Sequence, residues 1–368
     1  MGCRHCSSSP RLPLASTAVE GLTLIDARAA IRAETGGVER WARELAVRLP
    51  GLRPSGYAVA EPHPVFAHRL GQPWEQCVLP LRASRIGASA ILCPANLAPV
   101  ASKRTVVVIH DAAPLRYPGD FSSAYTAWQR FLLPRLVRNA LAVITPSEFS
   151  RLELIDLLNA DPERVHVVEP GVPDELFIGE GSSDQDVQPD LALQHGITGP
   201  YVLTVASKVK RKNLQALKPV AAGLAQVGIS MVAVGGGRPQ LSAGADPSGV
   251  KQLGPVPARD LKALYSGASA FVLPSVYEGF GLPICEAMAC GVPVVCSDRS
   301  ALPEAAGGAA RLVDPDDINS LVANVLSAAT DEPFRQELIS RGLERVRGLT
   351  WEKTALGVDA VVSSTVMS

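Results

Sequence analysis

Residues 270–296 read AFVLPSVYEGFGLPICEAMACGVPVVC. The run 270–274 is apolar throughout, as a strand buried on both faces must be. Residues 275–282 form a glycine-rich turn at its carboxyl end. Pro283 suits the first helical position, residues 284–289 continue a short helix, and Gly291 stands where a left-handed cap is wanted, with Pro293 beyond it. A second apolar run, 292–296, closes the unit. Strand, loop, helix, strand is the repeating piece of a parallel sheet.

The same alternation runs outward in both directions. Before it, strands are expected at 22–26 (LTLID), 90–93, 105–110 (TVVVIH), 141–145 and 165–168, with helices near 37–49, 124–139 and 147–158. After residue 199 the pattern restarts, with strands at 201–205, 230–234, 270–274 and 292–296 and an edge strand at 310–313. The intervening stretch is acidic and rich in Gly and Ser, which places a boundary there. The chain thus reads as α/β, with two doubly wound, Rossmann-like parallel-sheet domains facing a cleft. Residues 1–19 are a flexible leader, 20–178 the first domain, 179–198 a linker and 199–345 the second domain, leaving 346–368 as a terminal segment.

At 368 residues the chain exceeds what one core usually serves. Its formal charge of -1 gives no reason to expect a nucleic-acid partner. No apolar run approaches the ~20 residues that span a bilayer, and residues 1–21 lack the apolar core of a signal peptide. A cytosolic location is expected, extending to the inner face of a membrane. The seven cysteines are scattered, as reduced thiols are. Cys3 and Cys6 form a CxxC with no second ligand pair nearby and are expected to be disordered rather than metal-bound.

In an open parallel sheet, ligands bind beyond the carboxyl ends of the strands. A helix start there offers free amides and a positive dipole end to an anion. Gly279 and Gly281 let the backbone approach a ligand closely. Glu278 falls on the loop and Glu286 in the first turn of the helix, so two carboxylates face one mouth and suit a ligand rich in hydroxyls. The bland alternative is a tight turn with an acid favouring a helix's positive end. Residues 208–213, KVKRKN, follow the first strand of the second half. At a strand end Lys212 and Arg211 become a candidate diphosphate clamp, whereas a charge run is otherwise a solvated face. Gly235–Gly237 reads as a plain turn. His110, beside Asp111, ends a buried strand at the expected cleft. Residues 128–135, WQRFLLPR, read as a core helix through Leu132, Leu133, Leu136 and Val137. Resting on a membrane surface is the competing reading.

The block PSVYEGFGLPICEAMACGVPVVCSD resembles the signature of retaining GT-B glycosyltransferases of glycosyltransferase family 4, with its E-x7-E pair. The likeness continues through LTLIDARAAIRAETGGVERWARELAVRLP, VVVIHDAAPLRYPGDFS, ITPSEFSRLELI, VEPGV, SKVKRKNL, LGPVPARDLKALYSGASAFVLPS, ALPEAAGGAARLVDPDD and LTWEKTAL. What it implies is transfer of a hexose from a nucleotide diphosphate sugar, with retention, to a saccharide or lipid-linked acceptor. By analogy Glu286 would hold the ribose and Glu278 the transferred sugar. The Gly279, Phe280, Gly281 and Leu282 amides would meet sugar hydroxyls and phosphate. Lys212, with Arg211, would meet the diphosphate, and the Val256 backbone the base. Gly36 and Gly37 would lie over the diphosphate and His110 would approach the sugar, so that His110, Glu278 and Lys212 are the catalytic candidates. The family needs no metal or other cofactor. The segment near Trp351 would be a helix returning to the first domain. Where family members often carry an arginine, five positions before the KN lysine, this chain has Ser207, which supplies a hydrogen bond but no charge. IDAR, TGGVER, HDAAPLRYP and RKNL resemble bacterial mannosyltransferases of polysaccharide assembly, making GDP-mannose the first donor considered and a UDP-hexose the second. A GT-B nucleotide-sugar epimerase and a non-catalytic sugar-nucleotide binder are the alternatives.

Overall fold

In the computed structural model, which describes residues 21–32, 36–67, 71–178, 189–236 and 247–366, the strands form two six-stranded sheets. The leader 1–19 with Cys3 and Cys6, residues 179–188 of the linker, and Gly237 lie outside the described residues.

The first sheet holds β1 (Thr23–Asp26), β2 (Tyr57–Ala60), β3 (Ala90–Cys93), β4 (Thr105–Val108), β5 (Ala142–Thr145) and β6 (Val165–Val167), in the order β2-β1-β3-β4-β5-β6. The second holds β7 (Tyr201–Val205), β8 (Ser230–Val234), β9 (Val250–Gly254), β10 (Ala270–Leu273), β11 (Val294–Ser297) and β12 (Arg311–Val313), in the order β12-β11-β10-β7-β8-β9. Every pairing is parallel. Helices cover both faces, so alternate residues of one strand enter different cores. Val202, Ala270 and Val272 join one cluster, while Leu203, Phe271 and Leu273 join the other. That two-sided burial is why these strands read as unbroken apolar runs. β2 and β9, which the sequence reading missed, are sheet edges. Exposed Lys251 interrupts the apolar run in β9, whereas the four residues of β2, YAVA, are apolar throughout. β4 stops at Val108, so Ile109 and His110 lie beyond the strand rather than inside it.

Strand order locates the ligand crevice. In the first sheet the direction of winding reverses between β1 and β3, and in the second between β7 and β10. Such reversals part the loops at the carboxyl ends and leave room for a ligand. The loops after β1, β3, β7 and β10 all belong to one interlobe cavity, described below.

The chain crosses between lobes twice at one place. Val172 and Thr350 form an isolated parallel bridge, and Gly171 lies so close to Trp351 that a β-carbon would stand 2.1 Å from its backbone nitrogen. Beyond the crossing, helix Trp351–Val366 packs on the first lobe. Trp351, Ala355, Val358 and Val362 join Trp41, Leu45, Leu49 and Tyr57 in one cluster. Trp351 stacks edge-on against Trp41 (5.8 Å between centroids), and Trp41 edge-on against His110 (5.5 Å). A continuous aromatic column therefore supports the histidine from the end of the chain.

Candidate active site between the two lobes

The loop after β10 turns into helix Leu282–Ala289 through Gly281, whose φ of 109° is open to glycine and strained for other residues. A β-carbon there would also lie 2.5 Å from Leu302 Cδ2. Pro283 takes the second helical position rather than the first. The other end closes as expected. Gly291 has φ 67°, its N–H reaches the Met288 carbonyl, and the Val292 N–H reaches that of Ala287. Glu286 is the fifth helical residue, so it stands in the second turn and not the first. It still lines the cavity because a position four residues on returns to the same helix face.

Gly279 is the tightest point between the lobes. A β-carbon would lie 2.1 Å from the His110 carbonyl oxygen, and the Gly279 carbonyl accepts from Ser147 Oγ (2.6 Å) and Ser150 Oγ (2.9 Å). Docking uses the carbonyl side of the loop. The backbone N–H groups of Gly279, Phe280 and Gly281 donate to nothing among the described residues, and all three residues line the cavity. Glu278 N–H is held by Ser300 Oγ at 2.9 Å.

Both acids are charge-compensated. Glu278 receives Lys212 Nζ on both oxygens at 2.5 Å, and each side chain is largely shielded from water. Glu286, 6% exposed, is met by Arg40 from the first lobe and by Tyr265 Oη at 2.9 Å. Burial first, and the nearby Glu286 charge second, push the Tyr265 hydroxyl far up, so it remains a donor. Lys212 ends a 3-10 turn, Lys210–Lys212, that follows β7, and left-handed Asn213 redirects the chain after it. Arg211 faces the same cavity, yet buried Asp120 accepts from its backbone N–H (3.1 Å) and its Nη1 (3.4 Å). Arg211's charge is thus matched by a carboxylate from the opposite lobe. Ser207, Val256, Gly235 and Gly236 line the second-lobe side, with Pro255 and Pro257 beside Val256.

Gly36, Gly37, Arg40, Trp41, Asn96, His110 and Asp111 form the facing wall. Helix Gly37–Leu52 starts at the glycine pair, and a β-carbon on Gly37 would press on Leu282 Cδ1 at 3.3 Å. Its buried face, Glu39, Trp41, Ala42, Leu45 and Leu49, packs on the sheet. Arg40 is turned the other way, into the cleft. His110 is fixed by two bonds. Asn96 Oδ1 accepts its backbone N–H at 2.7 Å, and Nε2 lies 2.9 Å from the Pro94 carbonyl. A carbonyl can only accept, so Nε2 carries the hydrogen and a neutral ring leaves Nδ1 as an acceptor. Burial lowers the imidazole's pKa below its usual value, partly offset by the Pro94 bond.

Every site residue expected from the sequence therefore borders one cavity of about 740 Å³: Gly36, Gly37, His110, Ser207, Arg211, Lys212, Val256, Glu278, Gly279, Phe280, Gly281, Leu282 and Glu286. Arg40, Asn96, Asp120 and Tyr265 were missed. Arg40 sits three residues after Gly37, a place where a cleft-facing cation could have been suspected. Asn96 (φ 63°) and Asp120 are ordinary loop residues in sequence. Helix Ser123–Asn139 buries Leu132, Leu133, Leu136 and Val137, which makes this face part of the core; Phe131 is 47% exposed, with Arg135 over its ring at 3.6 Å. Among the described residues no helix is long and apolar enough to cross a membrane, and no group of three His, Cys, Asp or Glu could hold a metal ion.

Residues 59–176 match the family model described as "Glycosyltransferase Family 4", and residues 199–331 that described as "Glycosyl transferases group 1". The chain is 31% identical over 261 residues to the O-antigen chain mannosyltransferase B of Escherichia coli, covering 68% of each protein. It is 30% identical over 270 residues to the serotype-specific mannosyltransferase WbdA of Escherichia coli, covering 68% of this chain but spanning only 32% of that longer protein. Among solved structures, sucrose-phosphate synthase from Thermosynechococcus elongatus superimposes with a TM-score of 0.68 at 22% identity, covering 93% of this chain and 98% of that one. Anabaena Alr3699/HepE in complex with UDP and glucose superimposes with a TM-score of 0.67 at 18% identity, covering 94% and 100%. The arrangement of two facing Rossmann-like lobes is the GT-B fold.

Proposed function

The chain belongs to the family 4 glycosyltransferases, and on that premise we propose that it moves a hexose, mannose in preference, from a nucleoside diphosphate to a hydroxyl of a saccharide or lipid-linked acceptor, with retention at the anomeric carbon. One observation carries the reading: two acids, Lys212 and three undonated amides converge on the switch point of the second sheet, opposite His110 and the Gly36–Gly37 turn. Ribose hydroxyls would take over Glu286 from Arg40, and the freed guanidinium would lie toward the diphosphate. The diphosphate would rest on Lys212 and the Gly279–Gly281 amides, which supply its positive counterpart without a metal. Glu278 and His110 Nδ1 would hold hydroxyls of the transferred sugar, and the base would lie by the Val256 backbone.

In the transfer step the bond from the anomeric carbon to the diphosphate oxygen breaks, and the acceptor oxygen bonds to that carbon on the same face. The acceptor's proton passes to the departing phosphate oxygen. Lys212 and the amides hold charge that grows on the leaving group, so they act most strongly in the transition state. A covalent route through Glu278 is less favoured, because both its oxygens are engaged by Lys212. The similarity to mannosyltransferases supports mannose, and GDP-mannose is the first donor to test. Incubation with GDP-mannose or UDP-glucose, with and without mannobiose, should give acceptor-dependent release of the nucleoside diphosphate. Isomerised donor formed without acceptor would mean an epimerase and would refute the proposal.

A further inference from the structure

The first-lobe wall of the cavity carries a feature the donor does not use. Tyr125, Gln129 and Leu133 are spaced four apart on helix Ser123–Asn139, so they share one face, and all three line the cavity. Phe121, just before the helix, stacks on Tyr125 with centroids 5.5 Å apart and planes at 21°. Arg211 from the other lobe lies over the Phe121 ring at 5.4 Å while bound to Asp120. Gln129 is 2% exposed and lines the cavity between Tyr125 and Leu133. Its amide borders the cavity, where a ligand hydroxyl can meet it.

We propose that Phe121, Tyr125 and Gln129 form the subsite for a neutral saccharide acceptor, closed from the second lobe by the Asp120–Arg211 bridge. The inference rests on the transferase reading and adds where the acceptor binds and of what class it is. A pyranose ring presents one apolar C–H face, which the paired aromatic rings cover, and hydroxyls at its edge. A hydroxyl both donates and accepts, as the Gln129 amide does. Asp120 and Arg211 neutralise each other at the edge of the wall, so it offers no net charge for an anionic sugar. Because Arg211 comes from the donor lobe, the wall is complete only when the lobes are closed.

Saturation-transfer NMR with mannobiose, maltose and mannose 6-phosphate, run with and without GDP, tests this on the intact chain. The wild type should bind at least one neutral disaccharide in preference to the phosphorylated sugar. Tyr125→Ala and Gln129→Met should each weaken that binding about tenfold or more, Tyr125→Phe should retain it, and GDP affinity should stay within about twofold throughout. No neutral-sugar signal on the wild type, preference for the anionic probe, or undiminished binding in both variants would overturn the proposal. GDP and UDP titrations are read separately, so loss of the donor reading is distinguishable from loss of this subsite. Gln129→Met keeps the volume and removes only the amide, and an unchanged melting temperature certifies its fold.

Discussion

The loop after β10 and the face of helix Ser123–Asn139 border the same cavity, but in the proposed reading they would meet ligands by different means. The loop offers backbone: glycines that admit close approach, amides at a helix start, and a proline and glycine that fix where the helix begins and ends. Backbone recognition constrains composition and leaves marks in sequence. The helix offers side chains on a stripe that also serves the core, and a glutamine among leucines has no distinctive spacing. The proposed donor loop was therefore legible before the structure, while the proposed acceptor wall was not.

The largest effect should come from the donor side. Lys212→Gln removes the charge facing the leaving group and should lower kcat/KM by about 10²–10³-fold, as loss of one transition-state donor does. Near-normal turnover would mean that the cation is structural. Gly279→Ala comes next. Its β-carbon would meet the His110 carbonyl, prise the lobes apart and cost about 10²-fold in transfer, with little change in melting temperature. Wild-type transfer would show that closure at this point is not required. Asp120→Asn should sharpen the contrast between the two walls. By loosening Arg211 it should raise the acceptor KM about three- to tenfold and leave donor affinity unchanged; an equal loss of donor affinity would return Arg211 to the diphosphate.

The smallest effect concerns pH. Burial holds the folded His110 pKa below its unfolded value of about 6.5, so the ring is neutral at pH 7. Stability from burying it neutral is fully present above 6.5 and is lost as pH falls through the lower folded value, because the unfolded chain takes up its proton first. Transfer should stay flat through pH 6.5 and decline only as pH falls further, through the lower folded value. A decline in that acid range that persists unchanged in His110→Ala would assign it elsewhere.

The strands buried on both faces were legible because nothing but apolar residues can fill them. β9 was not, because Lys251 and Gln252 break its run, and the four-residue apolar β2 was passed over. Glu286 was placed a turn too early because Leu282, not Pro283, opens the helix. Arg40 and Asp120 were missed for a different reason. Each finds its partner across the cleft, 246 and 91 residues away in sequence, where no local pattern reaches. Cross-lobe ion pairs belong to tertiary closure, which spacing along one chain does not encode.

The claim on which the rest depends is that Glu286 and Lys212 grip a nucleoside diphosphate. Calorimetric titration with GDP, UDP and their hexose conjugates, repeated on Glu286→Gln and Lys212→Gln, tests it most directly. At least one nucleotide should bind the wild-type chain and lose about tenfold or more in affinity in each variant. Binding of none, or equal binding by all three proteins, would contradict it.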